Sequence, residues 1–499
     1  MHRVVSGSVF SKLKIFFLIW FCLLASAAAF AQASDTFTIV ALPDTQIYSR
    51  SYPAIFRAQT QWIANNVSNL NIKLVLGLGD IVDNGSSLVQ WQNANNAISL
   101  LDGRVPYMLA IGNHDYDNNV PSTRSAVYYN TYYGISHYAG QPWFRGSFPS
   151  GSADNYYGVF NIGGRDYLVM MLEFYPRNSA IAWASSIIQA NADKSVIIVT
   201  HGYEFDDNTR IKACDSDSSG SYGMTGDNDG EEMWNKLAGK YPNVLMVLSG
   251  HIKVHDGVGR RADLGSNGNL VNQVLADYQS YPVGGDGKLR IMKITPSQNK
   301  IQVSTYSPYA NTWLTDAQNQ FTLDLRDPGA VGGGTATISG TAKSIVNCSW
   351  LAGVAVSYGG TSTTTDANGN FTVKVPVGRK YSNATLTAQR NGWGRVQQIV
   401  TARSGATNNV VVFMSTSGQI AGRVTNASGA GVSGVSVSLS GGRLPTAKTV
   451  ITNSSGYYSS GWIPVGTYSL SLAASGYVTR STATTVSTGA TTTANVALQ

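Results

Sequence analysis

At Pro328-Gly-Ala-Val-Gly-Gly-Gly334 the chain changes character, and this break constrains the fold more than any other feature of its 499 residues. Before it, short apolar runs alternate with segments of helical period. After it, Ser, Thr, Gly and Val dominate and no helical period remains. A chain of this length exceeds one compact core, so the break separates domains, and 328–335 reads as a flexible Gly-rich linker.

The part beyond the break repeats itself. Ile338-Ser-Gly-Thr341 matches Ile420-Ala-Gly-Arg423, Asp366-Ala-Asn-Gly-Asn-Phe371 matches Asn453-Ser-Ser-Gly-Tyr-Tyr458, and Val375-Pro-Val-Gly378 matches Ile463-Pro-Val-Gly466. Two modules follow, 336–416 and 417–499, each a set of short alternating strands with Gly turns, as a small all-β sandwich requires. They resemble carboxypeptidase-regulatory-like or transthyretin-like modules, which implies spacing, adhesion or stability and brings no catalytic group.

In the first part, Phe37 to Leu42, Lys73 to Leu78, Val105 to Ile111, Tyr167 to Leu172, Ser195 to Thr200 and Val244 to Leu248 read as strands. Helical stripes lie between several of them, for example Ile55, Phe56, Gln59, Trp62 and Ile63. Val271 to Asp277, Leu289 to Ile294 and Ile301 to Tyr306 read as antiparallel strands. The prediction over 36–327 is a mixed α/β sandwich.

Arg3, Lys12 and Lys14 precede an apolar run from Ile15 to Leu24, and Ala29-Phe-Ala31-Gln-Ala33 offers small residues at cleavage spacing. Residues 1–33 therefore read as a signal peptide, with a mature chain from Ser34 that is secreted or periplasmic. The run falls short of the roughly 20 apolar residues of a membrane span. A charged fraction of 13% suits an extracellular surface. Cys214 and Cys348 then remain in different domains, so no disulfide framework is expected, and neither belongs to a Cys/His cluster. The net charge of +7 comes from scattered residues without a nucleic-acid motif.

Four loops after predicted strands end in residues able to hold a metal: Asp44-Thr-Gln46, Gly79-Asp80, Gly112-Asn-His-Asp115 and Gly250-His251. A fifth strand ends at Thr200-His201. Such strand ends are where sites assemble in α/β sheets. Singly, each is ordinary turn chemistry. Together they are not, because His2 lies in the leader and three of the other five histidines sit at strand ends beside Asp or Gly.

These motifs, in this order, resemble those of calcineurin-like metallophosphoesterases over Phe37 to Leu325. The resemblance implies a two-layer β-sandwich core flanked by helices, and a centre in which a bridging carboxylate holds two ions while an activated water attacks phosphorus. Carried over, Asp80 bridges, and Asn113, His201 and His251 complete one metal site. His114 becomes the acid or electrostatic partner of the leaving group, with Asp115 orienting its ring.

The other site departs from the family. Asp44 is present, but Gln46 stands where Asp-x-His supplies a histidine, and Lys253 where Gly-His-x-His supplies another. A Gln carbonyl can ligate; an ammonium cannot. The sequence therefore predicts one tight metal site and an uncertain second, with Mn, Fe or Zn suiting the donor set. Lys253 is a candidate catalytic cation if it points inward, and His255 a candidate replacement ligand. Asp83 reads as a supporting group or a helix cap.

Asp215-Ser-Asp217-Ser-Ser-Gly220 opens like a calcium loop but carries Gly226 where a Glu belongs, and reads as a polar active-site loop. Tyr132, Tyr133 and Trp143 read either as core or as a stacking surface for a base or sugar. The expected function is hydrolysis of a phosphate mono- or diester, with cell-surface or polysaccharide contact through the modules and no membrane anchor after cleavage. The alternatives are a weakened phosphoesterase fold serving binding or adhesion, and a carbohydrate-active protein, for which no spaced pair of acids speaks.

Overall fold

The computed structural model describes Met1 and residues 35–499, apart from Thr225, His255 and 442–446. The signal-peptide expectation and the suggestion of His255 as a ligand lie outside the described residues. Among these residues, no helix is long and apolar enough to cross a membrane.

Among the described residues, the first domain holds fourteen strands: β1 (Phe37–Leu42), β2 (Ile72–Gly77), β3 (Tyr107–Leu109), β4 (Phe144–Phe148), β5 (Asn155–Ile162), β6 (Arg165–Met171), β7 (Ser195–Val199), β8 (Val244–Ser249), β9 (Val258–Leu264), β10 (Leu270–Ala276), β11 (Leu289–Thr295), β12 (Lys300–Ser307), β13 (Thr312–Leu314) and β14 (Phe321–Asp324). One sheet runs β13-β12-β11-β1-β2-β3, with β14 also paired to β12, and the other runs β4-β5-β6-β7-β8-β10-β9. The strands β1, β2 and β3 are parallel. So are β6, β7, β8 and β10.

Period-two patterning sets the layers. In β6 and β7, Tyr167, Val169, Met171, Ile197 and Val199 join the core between the sheets, where Phe37, Leu74, Leu76 and Met292 also lie. Their neighbours Leu168, Met170, Val196 and Ile198 face the other way, onto Ile181, Ala184 and Ile188 of the helix Asn178–Ala190. Two further helices, Pro53–Asn66 and Leu88–Ile98, bury Ile55, Phe56, Ile63, Trp91 and Ile98 in the main core. Each such side chain contributes about 1.5–3 kcal/mol by leaving water. The fold is a two-layer β-sandwich flanked by helices, followed by all-β sheets.

Two readings need correcting here. Val271 to Asp277 is not purely antiparallel: β10 pairs antiparallel with β9 on one side and parallel with β8 on the other. Alternation of side chains does not encode strand direction, so the sequence pattern misses this. The Gly-rich stretch is not a loose linker either, because Ala330–Ser344 is one strand whose Gly334 lies opposite Val377. Ladder hydrogen bonds come from the backbone, and Ala336 and Ile338 anchor the strand in a core.

The two modules share one topology. In the first, Ala330–Ser344 lies between Asn370–Arg379, antiparallel, and Thr407–Met414, parallel. In the second, Ser417–Thr425 lies between Tyr457–Pro464, antiparallel, and Thr491–Thr493, parallel. Each adds a four-stranded antiparallel sheet, ordered alike.

The first module is docked on the first domain. Leu264 N–H donates to Thr401 Oγ1 at 2.9 Å, Asn383 Nδ2 donates to the Leu264 carbonyl at 3.0 Å, and Arg261 Nη1 donates to the Asn409 carbonyl at 2.7 Å. Ala262, Leu270 and Tyr381 form a small apolar cluster across the joint. Cys214 and Cys348 are joined by a disulfide, which overturns the expectation drawn from their separation. The two cysteines meet because the module folds back onto the loop that carries Cys214, a contact no local pattern records.

Candidate metal centre

Each candidate ligand loop follows the C-terminal end of a strand. Asp44 follows β1, Asp80 follows β2, Asn113 follows β3, His201 follows β7 and His251 follows β8. These strands belong to the parallel parts of both sheets, so their ends gather at one edge of the sandwich. Asp44, Asp80 and His201 each offer an atom within 4.8 Å of the others, and all three are buried.

The His201 Nδ1–H donates to the Leu78 carbonyl at 2.9 Å. That bond turns Nε2 toward Asp80 Oδ1 at 3.3 Å and Asn113 Oδ1 at 3.1 Å. His251 lies edge-on to His201 with ring centroids 4.9 Å apart, and its backbone N–H donates to Asp44 Oδ2 at 3.2 Å. Two glycines permit this crowding. A Cβ on Gly79, whose φ is +102°, would sit 2.5 Å from His201 Nδ1, and one on Gly250 would sit 2.2 Å from Asp44 Oδ1.

The centre attracts positive charge. Burial opposes an imidazolium at His201, yet Asp80 and Asp44 overcome it and hold its pKa up at about 10. Burial likewise works against the Asp80 carboxylate, and His201 and His114 bring its pKa down to about 2. Burial, then Asp277, raises Asp44 well above the usual carboxylate range. Burial, then His201, keeps His251 well below the ordinary histidine value and so neutral, the form that ligates.

Gln46 supplies the test of fit. It is 2% exposed, and its Nε2 donates to Gln279 Oε1 at 2.8 Å. Its Oε1 is buried with no hydrogen-bond partner among the described residues. An orphaned buried acceptor costs about 1–3 kcal/mol, so a free carbonyl oxygen beside Asp44 fits an open ligand position. Two carboxylates, two amide oxygens and two imidazoles, with His201 giving up its Nε2 proton to the cation that replaces it, make a donor set suited to Mn, Fe or Zn.

Residues 30–255 match the model of the calcineurin-like phosphoesterase family, and residues 419–499 match that of the carboxypeptidase regulatory-like domain. Over that first stretch the chain is similar to calcineurin-like phosphoesterases. It is 33% identical over 305 residues to the uncharacterized protein YvnB of Bacillus subtilis (strain 168), which covers 59% of this chain and 22% of that protein. The chain thus spans under a quarter of the length of the curated relative it matches. Among solved structures, purple acid phosphatase PPD1 from yellow lupin seeds is 14% identical, covering 58% of this chain and 54% of that one, with a TM-score of 0.38. TT1561 of Thermus thermophilus is 12% identical, covering 58% and 100%, with a TM-score of 0.31.

Within the first domain, three sequence readings change. Asp115 does not orient His114: its buried carboxylate accepts from the Val82 and Gly112 N–H groups at 3.0 and 2.8 Å, tying the Asp80 loop to the Asn113 loop. The His114 ring is held instead by the Asp83 carbonyl, 2.9 Å from Nδ1, while the Asp83 carboxylate pairs with Arg50 at 2.8 Å. Lys253 is exposed, so it is not enclosed with the ligands as the matching histidine would be. Its carbonyl accepts from the Ser280 hydroxyl. Tyr133 and Trp143 are core, with Tyr132 packed against that core, which removes them as a stacking surface.

Sequence reasoning missed three residues at the candidate metal centre. Tyr222, in the loop that resembled a calcium site, places its hydroxyl 3.1 Å from His251 Nε2. Asp277 and Gln279 follow the end of β10, and Gln279 Nε2 lies 2.9 Å from Asp277 Oδ2 and 3.5 Å from Asp44 Oδ2. The available signal was the acid immediately after an apolar strand, the same pattern as Asp44 and Asp80.

Proposed function

We propose that the protein is a metal-dependent phosphoesterase that hydrolyses a phosphate mono- or diester outside the cytoplasm. The observation that carries this reading is the meeting of Asp44, Asp80, Asn113, His201 and His251 from five strand ends at one buried, negatively biased point. These residues and Gln46 would hold the metal. Bound there, divalent cations supply a lowered pKa for water and neutralise charge on phosphoryl oxygens.

His114 would handle the leaving group. Its backbone N–H donates to Asp80 Oδ1 at 2.9 Å, which fixes it beside the centre, while its side chain is 29% exposed. Nδ1 is occupied by the Asp83 carbonyl at 2.9 Å and the Asn119 side-chain nitrogen at 3.1 Å, so Nε2 is the ring nitrogen left to hold a proton for the departing oxygen. Phe174 and Tyr222 pack on His251 with ring centroids at 4.9 and 5.4 Å, walling one side of the centre from water.

The disulfide supports an oxidising compartment, in line with the leader read at residues 1–33. The modules would hold the enzyme near a surface or polysaccharide. Purified full chain, loaded with Mn2+, Fe2+ or Zn2+, should be screened on phosphomonoesters, phosphodiesters and nucleotides. Hydrolysis of at least one class, lost in His201→Ala, is expected. No turnover on any class with any metal would remove the proposal.

A further inference from the structure

Resting on the metal-centre reading above, we propose that Asp277 and Gln279 are positioning residues that lock the Gln46 amide with its oxygen turned to the metal. A histidine ligand has its donor atom set by the hydrogen bond on its other nitrogen. A glutamine has no such inbuilt polarity, because its amide can rotate to present either nitrogen or oxygen. A glutamine ligand therefore needs something that decides which end faces inward.

The structure contains that device as a chain of three side chains. Gln279 Nε2 lies 2.9 Å from Asp277 Oδ2 and 3.5 Å from Asp44 Oδ2. In the ionised form that a bound cation favours, both carboxylates only accept, so the Gln279 amide keeps its nitrogen toward them. Its Oε1 then faces Gln46, where only a donor is tolerated, and Gln46 Nε2 fills that place at 2.8 Å. The Gln46 Oε1 is left over, buried and without a partner among the described residues. The Asp277 carboxylate is itself pinned, accepting the Gln279 backbone N–H at 2.9 Å through its other oxygen.

The strand topology makes this possible. Since β10 runs parallel to β8, its C-terminal end delivers Asp277 and Gln279 to the same edge as His251. Both lie beyond residue 255, where the match to the family model ends. The departure from histidine at position 46 and the Asp277–Gln279 pair thus form one unit.

The test measures Mn2+ affinity of the full chain by calorimetric titration, alongside melting of the metal-free protein. In Gln279→Ala and Asp277→Asn, one class of Mn2+ site should weaken about 10–100-fold while the metal-free protein still melts cooperatively as a folded chain. A carboxylate has two equivalent oxygens and needs no orientation, so Gln46→Glu combined with Gln279→Ala should recover the affinity. Unchanged affinity in both single variants, or no recovery in the double variant, would overturn the inference while leaving the metal centre standing. A wild-type chain that binds no Mn2+ would overturn the centre and the inference together.

Discussion

Cys214 and Cys348 form a disulfide between the loop that carries Tyr222 and the first β-module, spanning 134 residues of sequence. Tyr222 touches His251, and Tyr175, whose ring packs against the Tyr222 ring, donates its hydroxyl to the Asp217 carbonyl of the same loop. The bridge therefore joins a module without catalytic groups to a wall of the metal centre.

The modules should accordingly not be fully dispensable, contrary to what the position of the ligands in sequence suggests. Cys348→Ser is expected to cost about 2–4 kcal/mol of stability. Truncation after Asp327 should cost at least as much, since it also uncovers Ala262 and Leu270. Thermal melting and turnover on a small soluble ester check both. A truncated chain with wild-type melting and turnover would show that the joint does not support the site.

His114 and Asp115 are neighbours with different tasks, and their variants should separate. His114→Ala should lower kcat about 10²–10⁴-fold while Mn2+ content stays at the wild-type level. Asp115→Ala strands the buried N–H groups of Val82 and Gly112, each worth about 1–3 kcal/mol, and should lower both stability and metal content. Elemental analysis beside kinetics distinguishes them; the same pattern in both variants would refute the assignment.

Lys253→Ala should leave metal content unchanged and alter kcat by less than about threefold, since an exposed ammonium contributes little at high dielectric. A large fall in kcat would place the ammonium on the substrate and revive the inward reading.

Asp263 sets an acid limit on stability. It is buried, accepts from Arg210 Nη1 at 2.6 Å and pairs with Arg261, which also reaches the first module. Burial opposes its charge, and the two guanidiniums overcome it, holding the carboxyl below its usual range. An unfolded aspartate titrates near about 3.9. The contribution is complete above that pH and is lost as the pH falls toward the depressed folded value. Asp263→Asn should cost about 3–5 kcal/mol at pH 7, with the gap from wild type narrowing below about pH 4. Denaturant unfolding at several pH values checks this; a constant gap would mean that the carboxylate is not charged in the folded state.

What could be read from sequence follows from how local each feature is. Asp44, Asp80, Asn113, His201 and His251 were legible because each closes its own strand, and the repeated turns around Asp366 and Asn453 exposed the two modules. Asp277 closes its strand as Asp44 and Asp80 do, but its place at the centre depends on β10 running parallel to β8, which alternation does not report. The Cys214–Cys348 pairing depends on two domains docking, and the orientation of His114 on a carbonyl of residue 83 rather than on any side chain motif. The glycines of 332–334 looked like a linker because composition measures side chains, whereas the strand there is held by backbone.

The central claim is that hydrolysis depends on metal held by the Asp80 cluster. Full chain stripped by chelation should be assayed on bis-p-nitrophenyl phosphate and p-nitrophenyl phosphate before and after adding Mn2+, beside Asp80→Asn treated identically. The account predicts no turnover in the stripped wild type, recovery with Mn2+ on at least one ester, and no recovery in Asp80→Asn. Turnover that survives chelation, or an Asp80→Asn variant that recovers as fully as wild type, would contradict it.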